Sequence, residues 1–250
     1  MKSRGPFQGM LTVARFNWPF YGAATTVLVA SGAAFFLLSS PLKVASAIAF
    51  GCALYFIFVS LGVSYVVYDS SDLYRWSWLD RALQNRPIRQ AIFCHSGFDE
   101  ASLELRARFR NVQWNILDHY DPQQMTEPSI QRARALFPPT PGTLACPHDA
   151  WPLSAESVDV VFGLFAIHEL RTEAERTAWF AEARRCLRHG GRLVLAEHLR
   201  DTANFLAFGP GFLHFHSLAS WRRCWEPAGF CCRDQFRVTP FVQILVLEVP

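Results

Sequence analysis

Two long runs without a charged side chain set the first constraint on this chain. No Asp, Glu, Lys or Arg occurs from Asn17 to Leu42 or from Val44 to Tyr68, and Lys43 alone separates the runs. A helix rises about 1.5 Å per residue and the hydrocarbon core of a bilayer is about 30 Å thick, so either run can cross it. Pro41 marks the turn between them. The expectation is a transmembrane helical hairpin over 17–68, in a chain whose 51% hydrophobic residues exceed the share of an average soluble domain. A secretory signal followed by a buried helix is the rival reading. The first run is too long for a signal core, and the second follows it at once.

Gly22, Gly32, Gly51 and Gly62 would allow close helix approach, but none forms a G-x-x-x-G pair. Tyr65, Tyr68, Tyr74, Trp76 and Trp78 cluster where the second run ends, as an interfacial aromatic belt does. Lys2, Arg4 and Arg15 precede the first run, and Arg75, Arg81, Arg86 and Arg89 follow the second. By the positive-inside rule both ends are expected in the cytoplasm, on a multi-pass protein of the cell (inner) membrane. The expected organisation is a cytoplasmic N-terminus (1–16), the hairpin (17–68), an interfacial connector (69–89) and a globular domain (90–250). The net charge of +3 calls for no nucleic-acid partner. Seven cysteines without a C-x-x-C pair fit a reducing compartment, with neighbouring Cys231 and Cys232 read as strand residues facing opposite ways.

Beyond residue 90, short apolar runs alternate with helical stretches. Strands are expected at 91–94, 112–118, 143–146, 158–167 and 192–199. Helices are expected at 99–109 with Ser96 as cap, at 126–136 with Thr126 as cap and Pro128 in the first turn, and at 221–230. Thr172 and Glu175 form a T-x-x-E capping box for a helix through Trp179, Ala183 and Leu187, which Gly190 and Gly191 should stop. Residues 231–238 and 241–249, around Thr239-Pro240, read as a terminal antiparallel hairpin. This order predicts an α/β fold: a Rossmann-like doubly wound sheet with a terminal β-hairpin, preceded by two transmembrane α-helices.

Pro152-Leu153 followed by Val158-Asp159-Val160-Val161, and the run from Arg185 through Gly190-Gly191-Arg192-Leu193, carry a resemblance. They are similar to segments of class I S-adenosylmethionine-dependent methyltransferases, in the branch acting on quinones and other small molecules. The resemblance spans about residues 90–249 and implies S-adenosyl-L-methionine as cofactor. It implies that Asp118, with Asp121 as competitor, grips the ribose hydroxyls, and that Asp149 with Ala150 contacts the adenine. The family's glycine-rich loop falls on Phe93-Cys94-His95-Ser96-Gly97-Phe98-Asp99 and keeps a single glycine, so His95 and Gly97 are the expected loop contacts. The cofactor carries no phosphate, so the loop needs close backbone approach, not a phosphate cradle.

Polar residues collect at the expected C-terminal strand ends, where open α/β sheets bind ligands. They are His168, Glu169 and Arg171, then Glu197, His198, Arg200 and Asp201, then His214 and His216. In the methyltransferase reading His168 is a general base or orients the acceptor, and Glu197 and His198 line the acceptor side. A lipophilic or membrane-proximal small molecule is the expected acceptor. An alternative takes His168, Glu197, His214 and His216 as transition-metal ligands; their spacing matches no compact metal motif, and no metal ligand is assigned. A second alternative is a sheet that has lost its cofactor and serves as a binding scaffold. Glu169–Arg171 and Glu197–Arg200 read as structural pairs. The aromatic stretch 204–221 reads as a lid, as a segment dipping into the interface, or as core packing.

Overall fold

The computed structural model describes residues 5–84 and 86–250, so Lys2 and Arg4 of the orientation argument lie outside the described residues. The chain divides into two compact units, one of 1–75 with 202–212, the other of 76–201 with 213–250.

The first unit holds α1 (Gln8–Phe16), α2 (Trp18–Leu37) and α3 (Ser40–Tyr65), the last running on through a π-helical turn, Val66–Ser70. Two of its helical segments, Trp18–Leu37 and Ser40–Arg75, are long and apolar enough to cross a membrane. Most of their apolar side chains face outward, Phe36, Leu37 and Phe58 among them, unlike the core helices of a soluble fold. The Tyr21 hydroxyl meets Ser60 Oγ at 2.9 Å across the pair. Of the glycines, only Gly32 lies against the opposite helix, at the Phe50 ring; Gly51 and Gly62 face open space. Asp69 accepts the backbone N–H groups of Gly9 and Met10 at 2.7 and 2.8 Å, which satisfies two orphan donors at the start of α1. Thr202–Phe208 forms α8 and belongs to this unit, where the Tyr55 hydroxyl donates to the Leu206 carbonyl at 2.7 Å. Part of the aromatic stretch is thus helical and partners α3.

The second unit opens with α4 (Trp78–Leu83), whose Trp78, Leu79, Ala82 and Leu83 are buried. Trp76 is buried too and donates to Glu104 at 2.8 Å, so neither tryptophan serves an interfacial belt. Buried Arg192 fixes α4 to the sheet through the Ala82 carbonyl and Gln84, both at 2.7 Å. The boundary between the units falls at Arg75–Trp76.

Seven strands follow: β1 (Gln90–His95), β2 (Gln113–Asp118), β3 (Thr143–Ala145), β4 (Val158–Leu164), β5 (Leu187–His198), β6 (Cys231–Thr239) and β7 (Val242–Glu248). Their order is β3-β2-β1-β4-β5-β7-β6, parallel except for β7, which runs antiparallel to β5 and β6. Between them lie α5 (Ser102–Arg108), α6 (Pro128–Leu136), α7 (Glu173–Cys186) and α9 (Leu218–Trp225). This is the expected doubly wound sheet with its terminal hairpin. The strand order reverses between β1 and β4, where such sheets open a ligand crevice.

Local details depart from expectation for identifiable reasons. Asp99, not Ser96, satisfies the start of α5, accepting the N–H of Ser102 at 2.9 Å. Thr126 does not cap α6; Glu127 holds that position without a side-chain cap bond. The capping box of Thr172 and Glu175 forms as expected. The pair Gly190-Gly191 lies inside β5, because Leu187 already has extended backbone and ends α7 by itself. Ile167 has left β4 for a 3-10 turn, Ile167–Glu169. Cys231 and Cys232 are both exposed on the edge strand, and all seven cysteines are free.

The core joins β4, β5 and β7 to α7 and α9 through Trp179, Phe180, Trp221 and Trp225. Gly163 allows the crossing over β4, since a Cβ there would come within 2.7 Å of Ile167 and 2.9 Å of Leu195. We predict that Gly163→Ala destabilises the sheet unit by about 1–3 kcal/mol, read as a lower urea midpoint of tryptophan fluorescence. An unchanged midpoint would show that these side chains yield without cost.

Candidate active site

Two clusters of buried polar groups lie at the C-terminal ends of the parallel strands. The first surrounds the ends of β1 and β2. Asp118 is buried, and its Oδ1 accepts the N–H groups of Gly97 and Tyr120, each at 3.0 Å. Its Oδ2 receives Arg134 from α6 at 2.5 Å, and that guanidinium covers the Tyr120 ring at 4.5 Å. Gly97 has φ +94°, and a Cβ at that position would come within 2.9 Å of Tyr120. The single glycine is therefore required, but what approaches it here is a tyrosine ring. Phe98 turns to Phe137, with ring centroids 5.3 Å apart.

His95 is buried 3.5 Å from Asp118, and neither ring nitrogen has a hydrogen-bond partner among the described residues. Burial pulls its pKa down and outweighs the attraction of Asp118. The hydroxyl of Ser96 is likewise buried without a partner. So is Nε2 of His119, whose Nδ1 lies 3.1 Å from the Cys146 carbonyl and whose ring stacks on Trp151. Burial lowers the His119 pKa to about 4. Buried polar atoms without partners cost roughly 1–3 kcal/mol each, so four together at strand ends make this a candidate place for a polar ligand. Sequence reasoning missed His119, Tyr120 and Arg134; only the position just after the β2 acid pointed to the first two. Asp149 and Ala150, assigned to the adenine, are exposed on the turn that follows β3. Asp121 accepts the Gln123 N–H at 2.8 Å and shapes a turn.

The second cluster lies where β4 and β5 end. Glu197 is fully buried and accepts the Ile167 N–H at 3.1 Å and His168 Nδ1 at 2.6 Å. His168 Nε2 faces Glu169 Oε1 at 3.5 Å, and His214 Nε2 faces the same oxygen at 3.4 Å. His214 Nδ1 pairs with Glu127, at the start of α6, at 2.9 Å. Burial disfavours the charged imidazole of His168, but Glu197 and Glu169 outweigh it and push its pKa up to about 10. The His214 pKa is raised by Glu127 and Glu169 against the effect of burial, and those of Glu169 and Glu127 are lowered in return. A histidine held protonated donates hydrogen bonds and presents positive charge, which favours the orienting role expected of His168 over the general-base one.

His198, on the opposite face of β5, lies 2.9 Å from the Phe241 carbonyl through Nδ1 and packs against Phe165 and Phe215. His216 is drawn away from the cluster, accepting from Arg176 at 2.9 Å; burial and that cation lower its pKa to about 3. Arg171 and Arg200 donate to backbone carbonyls of 213–215 instead of pairing with Glu169 and Glu197. The structure thus brings together His168, Glu169, Glu197 and His214, adds Glu127, and leaves out His198 and His216.

The raised His168 pKa contributes stability that is complete below the unfolded value near 6.5 and is lost as pH rises toward 10. We predict that in chelator-treated protein the His168 ring resonances titrate near pH 10, and that Glu197→Gln moves that titration downward by more than one unit. A wild-type transition near 6.5 would contradict the arrangement.

Residues 123–195 match a family model described as a methyltransferase domain. That segment carries α6, β3, β4, α7 and most of β5. Among solved structures the chain is similar to the [4+2]-cyclase SpnF, with 15% identity, TM-score 0.50, and 71% of this chain and 81% of that one covered. It is similar to a geranyl diphosphate methyltransferase in complex with GPP and sinefungin, with 14% identity, TM-score 0.50, and 70% and 78% covered. A SAM-dependent methyltransferase from Aquifex aeolicus shares 14% identity at TM-score 0.49, with 68% and 89% covered. At these identities the two structures at TM-score 0.50 speak for the fold alone. No curated protein matches the sequence.

Proposed function

We propose that this chain, part of whose sheet unit matches a methyltransferase-domain model, is a membrane-anchored class I S-adenosylmethionine-dependent enzyme that methylates a lipophilic or membrane-proximal small molecule. One observation carries the cofactor side of this reading. The unpartnered atoms of His95, Ser96 and His119 lie at the ends of β1 and β2, beside the reversal point of the sheet. A cofactor with an amino-acid end and a ribose has the donors and acceptors to satisfy them. When bound, it supplies a methyl group already activated on a sulfonium. His95 and the Gly97 backbone would hold the amino-acid end, Asp118 the ribose, and Asp149 with Ala150 the adenine.

The chain's own contribution is positioning. Glu197 holds His168 at the ends of β4 and β5 and fixes the direction of its second ring nitrogen toward the acceptor side. His198 supports the acceptor side from behind, through the β6–β7 turn. The outward apolar faces of α2 and α3 support an anchor in the membrane, and an anchored enzyme meets acceptors that partition into lipid. In this reading both ends of the hairpin face the cytoplasm, with Arg15 before the first span and Arg75 after the second.

A second reading rests on Tyr120. Its ring fills the approach to Gly97 while Arg134 occupies Asp118, as in a sheet that has closed its cofactor site and become a scaffold. Calorimetry of the full chain in detergent with S-adenosylhomocysteine separates the two. The enzyme reading expects micromolar binding, lowered about 10–100-fold by Asp118→Ala and not weakened by Tyr120→Ala. No heat at millimolar ligand in wild type and Tyr120→Ala alike would leave the scaffold. Resistance of the protein to alkaline extraction from membranes tests the anchor separately.

A further inference from the structure

From the geometry around Glu169 we infer a divalent transition-metal site formed by His168 Nε2, His214 Nε2 and a Glu169 carboxylate oxygen, with its remaining coordination positions open. One donor atom from each residue lies within 4.8 Å of the other two. Both imidazoles turn Nε2 toward the same oxygen, at 3.5 and 3.4 Å. A charge-assisted hydrogen bond is shorter, about 2.7–2.9 Å. Two donors bound tetrahedrally to one zinc ion at about 2.0–2.1 Å are about 3.3 Å apart, close to the two imidazole–carboxylate separations.

The outer contacts carry the inference further. His168 Nδ1 meets Glu197 at 2.6 Å, and His214 Nδ1 meets Glu127 at 2.9 Å. Metal-bound histidines are held in this way, the distal nitrogen donating to a carboxylate that fixes the tautomer and aims the other nitrogen at the ion. Here both are so held, from different elements. Glu197 comes from β5 and Glu127 from the start of α6. A random polar cluster has no reason to repeat that device. The side chains of His168, Glu169 and His214 are 10%, 13% and 22% exposed, enough for an ion and a small ligand to reach them. In the ion-free arrangement the two Nε2 positions carry protons that face Glu169; an ion takes their place.

Two imidazoles and one carboxylate suit zinc and its first-row neighbours, not magnesium or calcium. The ligand set differs from the sequence alternative of His168, Glu197, His214 and His216: Glu169 replaces Glu197 as a ligand, and His216 is engaged by Arg176. An open position beside the ends of β4 and β5 would take an oxygen of the acceptor. That last step rests on the methyl-transfer reading; the ion site does not.

The test uses the full chain in detergent, with Cys231→Ser and Cys232→Ser as background so that exposed neighbouring thiols do not capture metal. Zinc chloride is titrated by calorimetry, and bound metal is counted after gel filtration. We expect one equivalent at micromolar or better affinity, lost in His214→Ala and in Glu169→Gln. Glu127→Gln should weaken it about 10–100-fold, with His189→Ala unchanged. Circular dichroism confirms that His214→Ala, a partly exposed position, stays folded. Zinc below one equivalent in the background protein, or retained in His214→Ala, overturns the site. S-adenosylhomocysteine titrated into the same samples keeps the readings apart, since loss of one binding event leaves the other measurable.

Discussion

A buried carboxylate needs donors, and the C-terminal ends of the sheet are organised by two that find them. Asp118 gathers two backbone N–H groups and a guanidinium; Glu197 gathers one N–H and an imidazole. Each ties a strand end to the turn following its neighbour, β2 to the β1 loop and β5 to the turn after β4. An isolated ionised carboxylate would be strongly disfavoured in such surroundings, so these partners are conditions of the fold. Removing one partner is expected to cost more than the bond itself contributes.

The same arithmetic separates the two clusters. Around Asp118 the charge is answered by Arg134 and nearby polar atoms stay unanswered. Around Glu197 the answer comes from the His168 imidazole, whose protonation Glu197 and Glu169 sustain. One region lacks partners for its polar groups; the other holds its donor nitrogens in a fixed direction. Ligand completion suits the first, ion capture or acceptor positioning the second.

Much of the fold was legible because hydrophobic period and turn chemistry are local. The continuous apolar run of β4, the T-x-x-E box of α7 and the Thr239-Pro240 turn each specified their element without help. What was not legible depends on partners distant in sequence. Trp76 and Trp78 look interfacial until α4 is seen packed into the sheet unit. Gly190-Gly191 looks like a helix stop until β5 pairs across it. At the site, strand-end density pointed to His168, Glu169, Glu197 and His214. Glu127, Arg134 and Tyr120 come from α6 and the turn after β2, and only the tertiary fold brings them in. His198 and His216 share the local signal of the others, but alternation on β5 and the pull of Arg176 place them elsewhere.

Because 202–212 belongs with the hairpin, the peptide chain passes between the two units three times, at 75–76, 201–202 and 212–213. That connectivity orders biosynthesis. The hairpin leaves the ribosome first, yet the segment that supplies the Leu206 carbonyl to Tyr55 is made only after β1 to β5. The two long apolar helices are therefore made before their last partner exists. The first unit is completed from the far side of the sheet's own synthesis, with β6 and β7 still to come.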